Sequence, residues 1–63
     1  MEKNNLYNLM LQYTVESRSL WRIKNDYQND SESDDSVKEF WQKIANEKEA
    51  NIETIKSLIK DRI

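Results

Sequence analysis

Large apolar side chains recur along this chain at steps of three and four residues, in two stretches separated by a polar run. In the first stretch Leu6, Leu9, Tyr13, Leu20, Ile23 and Tyr27 keep this spacing, with Glu16 holding a position in the middle of the series. That is the seam of an amphipathic helix, and Met10 and Trp21 widen it on one flank. The second stretch carries Val37, Phe40, Trp41, Ile44, Ala45, Ile52, Ile55, Leu58, Ile59 and Ile63. At about 100° per residue these cover one broad face, with Lys48 and Asn51 near its centre. No window alternates with period two for long, so strand is not expected. The pattern predicts an all-α chain of two helices.

Gly and Pro, the strongest punctuators of a chain, are both absent. A break must therefore come from polar side chains that bond to nearby backbone and compete with the helical ladder. One such run spans 25–36, with five acids, no base, and Asn and Ser throughout. We place helix 1 at about 3–27, the single loop at about 28–34 and helix 2 at about 35–62. Ser36, followed three residues later by Glu39, has the form of a capping box, and Ser33 is an alternative cap one turn earlier. Lys60 and Arg62 fall in the last turn, where cations suit the helix dipole.

A short loop between long helices makes them antiparallel neighbours, so residues 1–63 read as one helical-hairpin domain. Two faces this wide exceed what one pair of helices covers. Closing the core calls for a second hairpin and hence a four-helix bundle. The expected oligomer interface is Leu6, Leu9, Tyr13, Leu20, Trp21, Phe40, Trp41, Ile44, Ile52 and Ile55. Leu11 and Val15 lie off the main seam, as ordinary exposed apolars or as part of a further contact.

Composition narrows the functional classes. A chain of 63 residues buries a low fraction of its surface and is marginal without a staple. It has no Cys and no His, which removes disulfides, thiolate nucleophiles, the commonest general base and the commonest transition-metal ligands. Of the available staples, pairing with another subunit is the simplest. A net charge of −2 is the opposite of what a dedicated nucleic-acid binder carries. No apolar run reaches membrane-spanning length, and the opening Met1-Glu2-Lys3-Asn4-Asn5 is not a signal peptide. The expectation is a cytoplasmic protein with itself, or another protein, as partner, and with no nucleic acid and no membrane.

Glu16, Lys48 and Asn51 are the only positions that invite a chemical reading. In an antiparallel pair all three lie near mid-length, so Glu16 is expected to face Lys48 and Asn51. An ionised carboxylate in a bundle core needs a countercharge and hydrogen bonds. Lys48 offers the first and Asn51 a donor. A polar layer of this kind fixes register and partner choice. Alternatively the two long stems reach water at the bundle edge.

The run Phe40-Trp41-Gln42-Lys43-Ile44-Ala45-Asn46-Glu47-Lys48-Glu49-Ala50-Asn51-Ile52 resembles the second helix of a ferritin-like or rubrerythrin hairpin. That family shows an aromatic pair, an Ile-Ala or Leu-Ala, a run of acids, and a His three residues after a metal-binding Glu. Its partner helix supplies a further Glu, for which Glu16 is the counterpart. The resemblance implies a four-helix bundle with a di-iron carboxylate site. It covers about fifteen residues, and Lys48 stands where the ligand Glu belongs and Asn51 where the His belongs. Lys is a cation and neutral Asn is a poor transition-metal ligand, while Glu47 is one position off the ligand spacing. We therefore expect no metal and no cofactor. Small helical phosphatase regulators of spore formers share size and architecture, but their Ser-Gln-Glu-Leu-Asp motif is absent and no function is carried over.

The remaining signals are surface ones. Glu39–Lys43, Lys43–Glu47 and Glu53–Lys56 are spaced as helical ion pairs. Arg18 and Arg22 sit one turn apart, opposite the first seam. The acidic run lacks the Gly of a calcium loop and reads as a solubilising linker or as a mimic of nucleic-acid phosphate. With no catalytic residues to name, the sequence points to a non-enzymatic, homo-oligomeric interaction or regulatory module. The alternative is a ferritin-like protein with a degenerate metal site.

Overall fold

A computed structural model describes residues 3–63. The chain is all-α, with no strand among the described residues. α1 spans Lys3–Arg22, a π-helical turn spans Ile23–Tyr27, a short α2 spans Gln28–Asp30, and α3 spans Asp35–Lys60. The first three follow one another without a break, so the leading helix runs to Asp30 rather than ending near residue 27. The principal extents are 49 × 15 × 12 Å. At about 1.5 Å rise per residue, the long dimension is one helix and the short one a single helical layer. Met10 and Tyr13 share a groove with Ile59 and Ile63, Glu16 bonds Lys48 and Gln28 bonds Gln42. As the number rises along the leading helix, that of its neighbour on α3 falls.

The π turn re-phases the helix. Its one-residue insertion rotates everything downstream by about 100° relative to a continuous α-helix. Tyr27, a seam position in an unbroken helix, stays against α3 through its ring on Trp41 but is 37% exposed, and Gln28 beside it is half-buried. The local cause is legible in the hydrogen bonds. The Asn25 side chain donates to the Trp21 carbonyl at 2.9 Å, and that of Asn29 to the Asn25 carbonyl at 2.7 Å. These amides satisfy carbonyls that the ladder would otherwise have to serve, so the polar run bends the helical register before it ends the helix.

The turn itself is short, and its capping differs from expectation. Asp34, with extended backbone (φ −131°, ψ 97°), is the N-cap of α3 and accepts from the Val37 N–H. Neither Ser36 nor Ser33 fills that role. Ser36 instead donates its hydroxyl to Asp34 Oδ1 at 2.9 Å, holding the capping carboxylate in place. Asp beats Ser here because its charge also suits the helix N-terminus. At the far end Arg62 Nη1 donates to the Leu58 carbonyl at 2.8 Å, which satisfies one of the last orphan groups of α3.

The core of the single chain is thin. Among the described residues only Ile23, Ala45, Ile52 and Ile55 are buried apolar side chains, with Ser31 buried beside the turn. Ile23 is 1% exposed and is the only large side chain fully enclosed. Ala45 at 0% is where α3 has no side chain to hold the two backbones apart. Of the surface ion pairs expected on α3, Glu53–Lys56 forms, at 3.4 Å, and a further bridge between the helices joins Lys24 to Glu49 at 2.8 Å. No helix of the described residues is long and apolar enough to cross a membrane.

Candidate functional site

Among the described residues, the one ion pair shielded from water lies half-way along the helices. Lys48 Nζ on α3 donates to Glu16 Oε2 on α1 at 2.9 Å. The two side chains are 22% and 15% exposed, respectively. The seam position of Glu16 aims its carboxylate at α3, and the four-carbon stem of Lys48 carries the ammonium across. Gln12, one turn before Glu16, donates to the other carboxylate oxygen at 3.0 Å. Both oxygens thus have a donor.

This geometry holds the Glu16 carboxyl below its ordinary value. The hydrogen bond from Lys48 is the main cause, opposed by burial and helped by the Lys48 charge and by Gln12. Glu16 is therefore an anion at neutral pH, with a donor on each of its oxygens. A carboxylate so committed is a poor general base.

Asn51 does not join the pair. It is exposed, and Gln12 supplies the donor expected of it. The reason is angular: Asn51 is three residues past Lys48, about 60° around α3 from it, and turns out of the interface between helices.

The ligand set that the ferritin-like pattern implies does not assemble. Lys48 occupies the anionic position with a cation, Glu16 is consumed by that cation, and Asn51 points away. Among the described residues no group of three or more His, Cys, Asp or Glu could hold a metal ion. The residues present do not fit a di-iron centre.

The positions expected to meet a second subunit divide into two sets. Ile52 and Ile55 are buried within the chain itself, and Leu6, Leu9, Tyr13, Leu20, Trp41 and Ile44 are half-buried between α1 and α3. Only Trp21 and Phe40 stand well exposed, at 61% and 51%. A seam read from sequence cannot tell which neighbour it meets, and here the nearer helix takes it. Beyond those positions, Tyr7, Met10, Leu11 and Val15 are also exposed on α1.

A second cluster closes the turn end. Tyr27 and Trp41 lie with ring centroids 4.8 Å apart, and Phe40 meets Trp41 edge-on at 5.1 Å. Tyr27 and Trp41, with Asp30, Ser31, Asp34 and Val37, line an open hollow of about 370 Å³. The rings pack on each other rather than around a void, which makes this a clasp of the turn against α3.

Comparison with protein-family models, with curated proteins and with solved structures finds no match.

Proposed function

We propose that this chain is a non-enzymatic interaction module: an antiparallel helical hairpin that pairs with a second copy, its two helices contributing to a four-helix bundle. The observation that carries this reading is the surface. The chain exposes 4970 Å², whereas a compact monomer of 7.6 kDa exposes about 4,300 Å². The excess of about 700 Å² is close to the ~800 Å² each partner gives up in a standard interface. Nine large apolar side chains are exposed among the described residues, five of them on α1. Single exposed apolars are ordinary, whereas a contiguous set marks a contact surface.

The same composition speaks against catalysis. The one shielded charged group is neutralised by its partner, and the molecule has no Cys or His. Size-exclusion chromatography with light scattering tests the proposal. A mass of about two chains at micromolar concentration is expected, and a stable, folded monomer there overturns it.

A further inference from the structure

The two helices differ sharply on their outer faces. α3 carries charges of both signs along its length, the mark of a solvated face. From Asn4 to Arg22, α1 carries only Glu16, Arg18 and Arg22, and Glu16 is turned inward against Lys48. Tyr7, Met10, Thr14, Ser17 and Trp21 step by three and four residues, so they form one line at the edge of α1's outer face, beside the groove where Met10 meets Ile59 and Ile63. Leu11 and Val15 flank it, 52% and 50% exposed. No charged residue stands on this line.

We infer that this outer face of α1 is where the second copy docks, with the two α1 helices antiparallel and the twofold axis near Thr14. This rests on the homo-oligomer reading above and adds the face and the orientation. Charge decides the orientation. Parallel α1 helices set Arg18 against Arg18 and Arg22 against Arg22. They also bring together the two turns, each with Asp26, Asp30, Glu32, Asp34 and Asp35 and no base. In the antiparallel arrangement the like arginines separate along the axis by about 12 and about 24 Å, from the helical rise. The acidic turn of each copy then lies at the end where the other carries Lys56, Lys60 and Arg62 beside Glu53 and Asp61, a stretch without the acidic excess of the turn. Complementary potentials of this sort set register and exclude the wrong pairing.

Shape agrees with charge. Near the open end, Met10, Tyr13, Ile59 and Ile63 line an apolar groove of about 420 Å³, with Lys56 and Lys60 on its rim. An axis near Thr14 puts Trp21 of the second copy at the height of Tyr7, within about one helical turn of that groove. The indole then has an apolar bed, with the ammonium groups of Lys56 and Lys60 on the groove's rim within reach of its ring face. In the parallel arrangement Trp21 sits about 16 Å along the axis from Met10 and the groove stays empty.

The absence of Cys from the chain gives a background-free test. Thr14→Cys and Tyr7→Cys are each oxidised mildly, and the mass of every variant and of the unaltered protein is measured alongside. The inference expects Thr14→Cys to form a covalent dimer and Tyr7→Cys alone to form none. Across an antiparallel pair the two residue-7 positions lie about 21 Å apart, beyond the ~7 Å a disulfide spans between Cα atoms. Crosslinking at both positions means a parallel pair, and at neither, with the mass still dimeric, means another face. Either result overturns the inference and leaves the module reading standing. A monomeric mass for the unaltered protein overturns both. A second measurement needs no substitution. Between about 0.1 and about 1 M salt the screening length falls from about 10 to about 3 Å. The dissociation constant of the antiparallel dimer should rise roughly tenfold, the sum of a few exposed ion pairs. A constant that falls with salt indicates like charges in contact and overturns the orientation.

Discussion

Replacing Lys48 with Met removes the ammonium while keeping an unbranched, apolar stem of similar length. Glu16 is then left 15% exposed with Gln12 as its sole partner in the present geometry. A fully exposed ion pair contributes about 0–1 kcal/mol, and breaking a fully buried one costs about 3–5 kcal/mol. With side chains 22% and 15% exposed, this pair falls between, and a loss of about 2 kcal/mol is the expected cost. For a domain of this size that lowers the melting temperature by roughly 8–16 °C. Chemical denaturation at one fixed protein concentration measures it, since any association shifts apparent stability by mass action. Glu16→Gln and the double variant complete a cycle that isolates the pair. The pH dependence supplies an independent check of sign. The Glu16 carboxyl is lowered in the folded chain, so its contribution is fully present above its unfolded value of about 4.3. That contribution is lost as pH falls through the depressed folded value. The gap between the unaltered protein and Lys48→Met should therefore be constant near neutrality and close in acid. No stability change in either Lys48→Met or Glu16→Gln would refute the reasoning, because two shielded charges cannot both be removed singly without effect if they depend on each other.

Two further substitutions probe the rest of the fold. Ile23→Ala is expected to cost about 2–4 kcal/mol, read by the same denaturation, because Ile23 is the one large side chain fully enclosed; a cost below about 1 kcal/mol would mean the core lies elsewhere. Asp34→Ala is expected to cost about 1 kcal/mol and to reduce helical circular dichroism slightly, whereas Ser36→Ala should cost less, since Ser36 only steadies the capping carboxylate.

The helical class and the two seams were readable because a three-and-four spacing admits few other structures. Three features escaped for identifiable physical reasons. The π turn at Ile23–Tyr27 shifts phase by one residue, and no pattern of apolar positions announces an insertion that polar side chains create. Its consequence is that Gln28 joins Tyr27 on the inner side. The cap of α3 was assigned to Ser36 because Glu39 completes a box with it, yet Asp34 two residues earlier offers a charged acceptor, and Ser36 bonds to that acceptor instead. The polar pair was anticipated as a triad. Lys48 and Glu16 do meet, but the extra donor comes from Gln12, on the same helix as Glu16, where a one-turn reach is shorter than the span from α3. Met10 was read as widening the seam, and Leu11 and Val15 as ordinary exposed apolars or part of a further contact; all three are exposed, as is Tyr7, which the seam left out.

Those exposed positions bear on why the chain folds at all. Four buried apolar side chains, one of them an alanine, are a small core for the conformational entropy of about sixty ordered residues. Under the dimer proposed above, surface covered by a second chain adds to that core. The polar pair acts in the same direction by a different route. Sliding α3 by one turn past α1 separates Lys48 from Glu16 and leaves both shielded charges unpaired, so the pair penalises wrong registers more than it stabilises the right one. A fixed register in turn keeps the line from Tyr7 to Trp21 at a set height beside the groove of Ile59 and Ile63. In the inferred dimer, internal charge pairing and external apolar pairing are two parts of one device: the Glu16–Lys48 pair holds the two helices in step, and the contact between copies depends on their being in step.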